Sequence, residues 1–174
     1  VSVNASEVPP AASLLAAYLY WGGSIVNDEC AGTTNDDTVD FTGPGGTATP
    51  ILADACYCSD AGALSYDVEV CRKEVTSLIS DPVGSYTLNK FSALIANGAT
   101  NNASFSIVLV VRAAGLKARR IGLWDGLQTM SVDVNAVQPF TLGNLEVDSP
   151  PEGDLTWYVL EGDVGGSPGE QVSV

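Results

Sequence analysis

From residue 86 onward the chain consists of short β-forming runs punctuated by turn chemistry, and this rhythm constrains the fold more than any other feature. "YTLNKFSALIA" (86–96) and "SFSIVLVVRAA" (104–114) are rich in β-branched and aromatic residues. The second is apolar on both faces, as a central strand is. "RRIGLW" and "LQTMSVDV" flank Asp125-Gly126, a two-residue hairpin signal. "FTLGNLEV" (140–147), "DLTWYVLE" (154–161) and "EQVSV" (170–174) follow, with the turn clusters "SPPEG" and "GGSPG" between them. About seven strands in 89 residues is the density of a β-sandwich with immunoglobulin-like or jelly-roll wiring.

The N-terminal half reads differently. Residues 9–23 suggest a helix, opened by Pro9-Pro10, closed by Gly22-Gly23 and apolar nearly all round. Leu64, Val68, Cys71, Val75 and Leu78 fall at spacings of 4, 3, 4 and 3, the stripe of a second helix capped by Asp60 and ended by Asp81-Pro82. Between them residues 28–54 are turn-rich, with short strands expected near Val39–Phe41 and Ile51–Leu52. The expected class is therefore mainly β: a single β-sandwich with two short helices in the N-terminal half. With 174 residues, 45% hydrophobic and 16% charged, the chain can bury one core. We read it as a single domain over 1–174: a possible exchange strand at 1–8, a helix- and loop-rich stapled part at 9–85, and a sandwich core at 86–174.

All four cysteines, Cys30, Cys56, Cys58 and Cys71, lie in that stapled part. Cys56 and Cys58 are too close along the chain to bridge to each other, which leaves 30–56 with 58–71 or 30–58 with 56–71. A zinc site fits less well, because one C-x-C with two lone partners is not a pair of C-x-x-C knuckles. Disulfides imply an oxidising compartment, hence an extracellular or cell-surface setting. There the Asn-Ala-Ser triplets at Asn4 and Asn102 are glycan acceptors.

Charge is segregated. Of a net −14, residues 1–71 and 125–174 carry acids and no base. Every cation lies between: Arg72, Lys73, Lys90, Arg112, Lys117, Arg119 and Arg120. Such a chain repels nucleic acid and has no segment expected to insert in a membrane, since the apolar run 11–21 is too short to span one. The cluster Arg112, Lys117, Arg119 and Arg120 is expected to meet an acidic face in the same subunit or a neighbour.

Catalytic patterns are missing from the sequence. Without histidine there is no Ser-His-Asp or Cys-His chemistry, and neither a P-loop nor a G-x-G-x-x-G fingerprint occurs. No spacing singles out a glycosidase-like carboxylate pair. Asn35-Asp36-Asp37 with Asp40, or Asp148 with Glu152 and Asp154, supply oxygen ligands of the calcium kind, but their spacing matches no EF-hand and reads as solvated turns. No enzyme activity, cofactor or metal is expected.

What remains is a structural reading: a non-enzymatic subunit that assembles with copies of itself into an extracellular, pilus-like filament. The start "VSVNAS" puts Val1, Val3 and Ala5 on one face of a terminal strand, suited to completing a neighbour's sheet by strand addition, the logic of donor-strand pili. The alternatives are a virion coat or capsid-decoration protein, and a secreted carbohydrate- or protein-binding module.

Overall fold

The computed structural model describes residues 1–26, 36–59, 66–93, 102–128, 139–144 and 152–157. Nine strands are formed among them: β1 (Ser2–Val3), β2 (Ser13–Val26), β3 (Thr38–Thr42), β4 (Thr49–Leu52), β5 (Ala55–Ser59), β6 (Tyr66–Glu74), β7 (Gly84–Ser85), β8 (Thr87–Asn89) and β9 (Ala103–Arg112). They make three open antiparallel sheets, ordered β5-β6-β2-β9, β4-β3-β8 and β1-β7. The expectation of a mainly β protein holds, as do the short strands around Val39–Phe41 and Ile51–Leu52.

Neither expected helix exists; the helical content among the described residues is a single 3-10 turn, Thr76–Leu78. Residues 13–26 instead form the longest strand, with β6 on one side and β9 on the other. A run that is apolar all round suits a doubly covered central strand as well as a buried helix, and periodicity alone does not separate them. Gly22-Gly23 is not a helix stop but a place of close backbone approach. A Cβ on Gly22 would lie 2.3 Å from the Glu69 carbonyl oxygen, and one on Gly23 would lie 2.6 Å from that of Asn102.

The second misreading has its own cause. In β6 the side chains alternate, so Val68 and Cys71 point to opposite faces rather than sharing a stripe. Its inward positions include Asp67 and Glu69, both buried, and these carboxylates hide the apolar alternation that marks a half-buried strand.

The core draws on both larger sheets. Ala17, Leu19 and Trp21 of β2 and Cys71 of β6 pack with Val39 and Phe41 of β3 and Ile51 of β4. Val75, Ile79 and Tyr86 close it, and the Phe41 and Tyr86 rings stack at 6.3 Å. Every buried hydrophobic side chain among the described residues lies between Ala17 and Tyr86. After Asn89 only 103–112 is a strand among the described residues, and among them it pairs with β2 alone, at a sheet edge rather than at its centre. Among the described residues of the run 86–96 the strand formed is β8, which ends where Lys90 turns to φ 59°. Residues 113–128, including Asp125-Gly126, carry no strand, nor do 139–144 and 152–157. The remainder of the strands expected at 129–134, 140–147, 154–161 and 170–174 lies outside the described residues.

Candidate functional site

An acidic β protein with open sheets must deal with its edges, because an unpaired row of N–H and C=O groups invites another strand. Three edges of the two larger sheets are guarded. β4 is four residues long and carries Pro50, which has no N–H to offer. β8 is three residues long and runs straight into Lys90, whose ammonium pairs with Asp40 at 2.9 Å. β5 is five residues long and holds two disulfide cysteines.

The fourth edge, β9, lacks proline and cysteine, and its one charge, Arg112, stands at its last position. It is ten residues long, and from Ala103 to Val111 it contains no proline, no glycine and no charge. Its inner side pairs with β2 from Ser13↔Arg112 to Gly23↔Ala103, while no strand among the described residues pairs with its outer side. Residues 104–111 are half-buried, and Phe105, Ile107 and Leu109 lean on the core as its partly covered margin. Nothing in the alternation of this segment distinguishes an edge from a central strand, so sequence reasoning missed it.

The chain that follows β9 crosses the opposite face of the same sheet and is pinned there. Asp125 accepts a hydrogen bond from the Tyr20 hydroxyl at 2.5 Å, and its other oxygen lies 3.2 Å from Arg72 Nε. That second contact is an ion pair without hydrogen-bond alignment. Arg72 in turn sits over the Tyr18 ring at 5.9 Å. Burial, reinforced by the bond to Asp125, pushes the Tyr20 phenol above its ordinary value. On this pinned segment Leu116, Ile121, Leu123 and Trp124 face solvent, and beyond it Phe140 and Trp157 form a tilted ring pair at 5.5 Å.

Two of the four residues of the basic cluster meet acids of their own chain. Lys117 pairs with Glu152 at 3.4 Å and Arg119 with Asp154 at 2.9 Å. Arg72 and Lys90 pair as described above, and Lys73 pairs with Asp54 at 2.6 Å, whose carboxyl is held below its ordinary value chiefly by that bond. Five of the seven cations are thus in ion pairs within the chain. Arg120 also has an interaction, and Arg112, exposed at the end of β9, makes no ion pair among the described residues.

The acidic turn flagged as a calcium candidate is occupied by protein groups. The Asp36 N–H donates to both Glu69 carboxylate oxygens at 3.1 and 3.2 Å, its carbonyl accepts from Trp21 Nε1 at 2.8 Å, and its carboxylate accepts from the Ser92 N–H at 2.6 Å. Burial raises the Asp36 carboxyl above its ordinary value, offset in part by the Ser92 bond. Asp37 accepts from the Thr38 hydroxyl at 3.0 Å. Glu152 and Asp154 are taken by Lys117 and Arg119, and Asp148 lies outside the described residues.

Val1, Val3 and Ala5 do not share one environment. Only Val3 reaches the core margin, while Val1 and Ala5 are exposed. β1 pairs with β7 of its own chain through Ser2↔Ser85 and Val3↔Gly84. The Val1 amino group donates to the Tyr86 carbonyl at 3.0 Å, and the Tyr86 N–H donates to the Val1 carbonyl at 2.7 Å. The two sequons also differ. Asn4 is exposed in a turn bonded to Glu7, whereas Asn102 is tied to Ser24 through its backbone and buries its side-chain oxygen.

A disulfide joins Cys56 to Cys71, directly opposed on β5 and β6, one of the bridges open from sequence. Cys58 is also disulfide-bonded, and Cys30 lies outside the described residues. A disulfide is compatible with an oxidising environment. No helix among the described residues is long and apolar enough to cross a membrane. Comparison with protein-family models, curated proteins and solved structures found no match.

Proposed function

We propose that this chain is a self-assembling structural subunit, an extracellular filament protein whose copies join by β-strand addition. In this reading the β5-β6-β2-β9 and β4-β3-β8 sheets form an open sandwich, and the joint lies on the outer β9 edge, with which no strand among the described residues pairs. The observation that carries the reading is the contrast among edges: three are short and carry proline, a neighbouring lysine or disulfides, and β9 alone is ten residues long with no charge, proline or glycine from Ala103 to Val111. Leaving such an edge open is a liability for a monomer and a joint for a polymer. The Cys56–Cys71 bridge supports placement outside the cell, where disulfides persist. Electron microscopy of purified native protein, with sedimentation velocity across a concentration series, tests it. Ordered assemblies that grow with concentration are expected. A monodisperse monomer throughout would refute it.

A further inference from the structure

Resting on that reading, we propose that the partner of β9 is β9 of a second copy, paired antiparallel about a two-fold axis through Ile107. The joined sheet then runs β5-β6-β2-β9 and onward in the reverse order through the second copy, eight strands in all.

Three observations select this partner. The first is electrostatic. The chain carries a net −14, yet residues 91–111 hold no charged side chain. Two copies therefore approach with least repulsion edge to edge along β9. The second is the pattern of the strand. β9 offers Phe105, Ile107, Leu109 and Val111 on one face and Ser104, Ser106, Val108 and Val110 on the other. A strand laid beside it must be apolar on the core side and tolerate small or β-branched residues on the other, and β9 meets its own requirement.

The third is register. Directly opposed residues in an antiparallel ladder point to the same face, so the two positions in each pair must sum to an even number. Complete overlap of the charge-free stretch Ala103–Val111 is centred on Ile107. Ile107 then opposes its own copy, Phe105 opposes Leu109, and the half-covered core margin becomes covered from both sides. In this register Arg112 falls beside Asn102 of the other copy, ten positions (roughly 33 Å) along the strand from the second Arg112. Like charges do not meet. An isologous contact of this kind closes a dimer, and a filament repeats that dimer through a second contact away from β9.

The register makes the test specific. Cys56 and Cys71 show that directly opposed residues in this sheet can be bridged. Ile107→Cys should yield a disulfide-linked dimer on a non-reducing gel, lost on reduction. Phe105→Cys alone should not, and the double variant Phe105→Cys/Leu109→Cys should. Ser106→Lys places a charge on the face away from the core; it should abolish the dimer in sedimentation while the circular dichroism spectrum of the monomer is unchanged. Equal linkage at 105 and 107, or an undiminished dimer in Ser106→Lys, overturns β9 self-pairing. If native assemblies still form under either result, the structural-subunit reading stands and only the joint is wrong. If the unaltered protein never assembles, that reading falls as well.

Discussion

Replacing Tyr86 by phenylalanine gives a test of the core with an unusual signature in pH. Tyr86 is buried, its ring stacks on Phe41, and its hydroxyl donates to the Pro82 carbonyl at 2.7 Å. Tyr86→Phe keeps the ring and removes that bond, leaving a carbonyl unsatisfied, a loss of about 1 kcal/mol near neutral pH. Burial also pushes the phenol from its ordinary 10.0 up to about 12. An acid whose folded pKa is raised holds its full stabilising contribution below the unfolded value and loses it as pH climbs toward the folded one. The unfolded chain ionises first, so the native protein loses about 1.4 kcal/mol from this group by about pH 11. Phenylalanine cannot ionise and loses nothing there. Other groups, including Tyr20, titrate in both proteins and cancel in the difference. Urea unfolding, followed by the fluorescence of buried Trp21, should show the native protein more stable up to about pH 10 and the two curves crossing near pH 11. A stability gap that stays constant across that range would refute the reasoning, because it would mean that the Tyr86 hydroxyl ionises as freely in the fold as in the unfolded chain.

Reducing the Cys56–Cys71 bridge, which spans 15 residues, should cost about 3 kcal/mol and lower the calorimetric Tm by several degrees. Asp125→Asn keeps an acceptor for Tyr20 but removes the charge facing Arg72; protease cleavage within 113–128 should accelerate, with a stability change of about 1 kcal/mol or less. Gly22→Ala forces a methyl against the Glu69 carbonyl and Val70, and should lower the urea midpoint more than Gly45→Ala, where a Cβ meets nothing. In the Gly45 case the remaining cost comes from its φ of +68°. Because five of seven cations are already paired within the chain, added salt should strengthen assembly by screening acidic repulsion, as light scattering would report. Assembly that weakens with salt would mean that the basic block bridges copies after all.

The sequence by itself determined what is local or summed. Strand chemistry made the protein mainly β, and the short runs Val39–Phe41 and Ile51–Leu52 sufficed to place β3 and β4. Charge counting established an acidic chain with its cations in one block, and the spacing of Cys56 and Cys58 excluded a bridge between them. What it could not determine is which neighbour each strand has. Residues 9–23 read as a helix until β6 and β9 flank the strand within them, and the Leu64–Leu78 stripe reads as a helix until β6 forms and Asp36 satisfies Glu69 in the interior. The same limit hides the candidate site. "SFSIVLVV" has one composition whether one or both of its edges are paired, because backbone hydrogen bonds to a neighbouring strand leave no trace in side-chain alternation. Only the tertiary structure, by pairing β9 with β2 on one side among the described residues, turns an ordinary apolar strand into an edge. Charge follows the same division. A basic block is visible from residue counts, but whether it faces a neighbour or its own chain depends on distances such as Arg119 to Asp154, set by residues 35 positions apart.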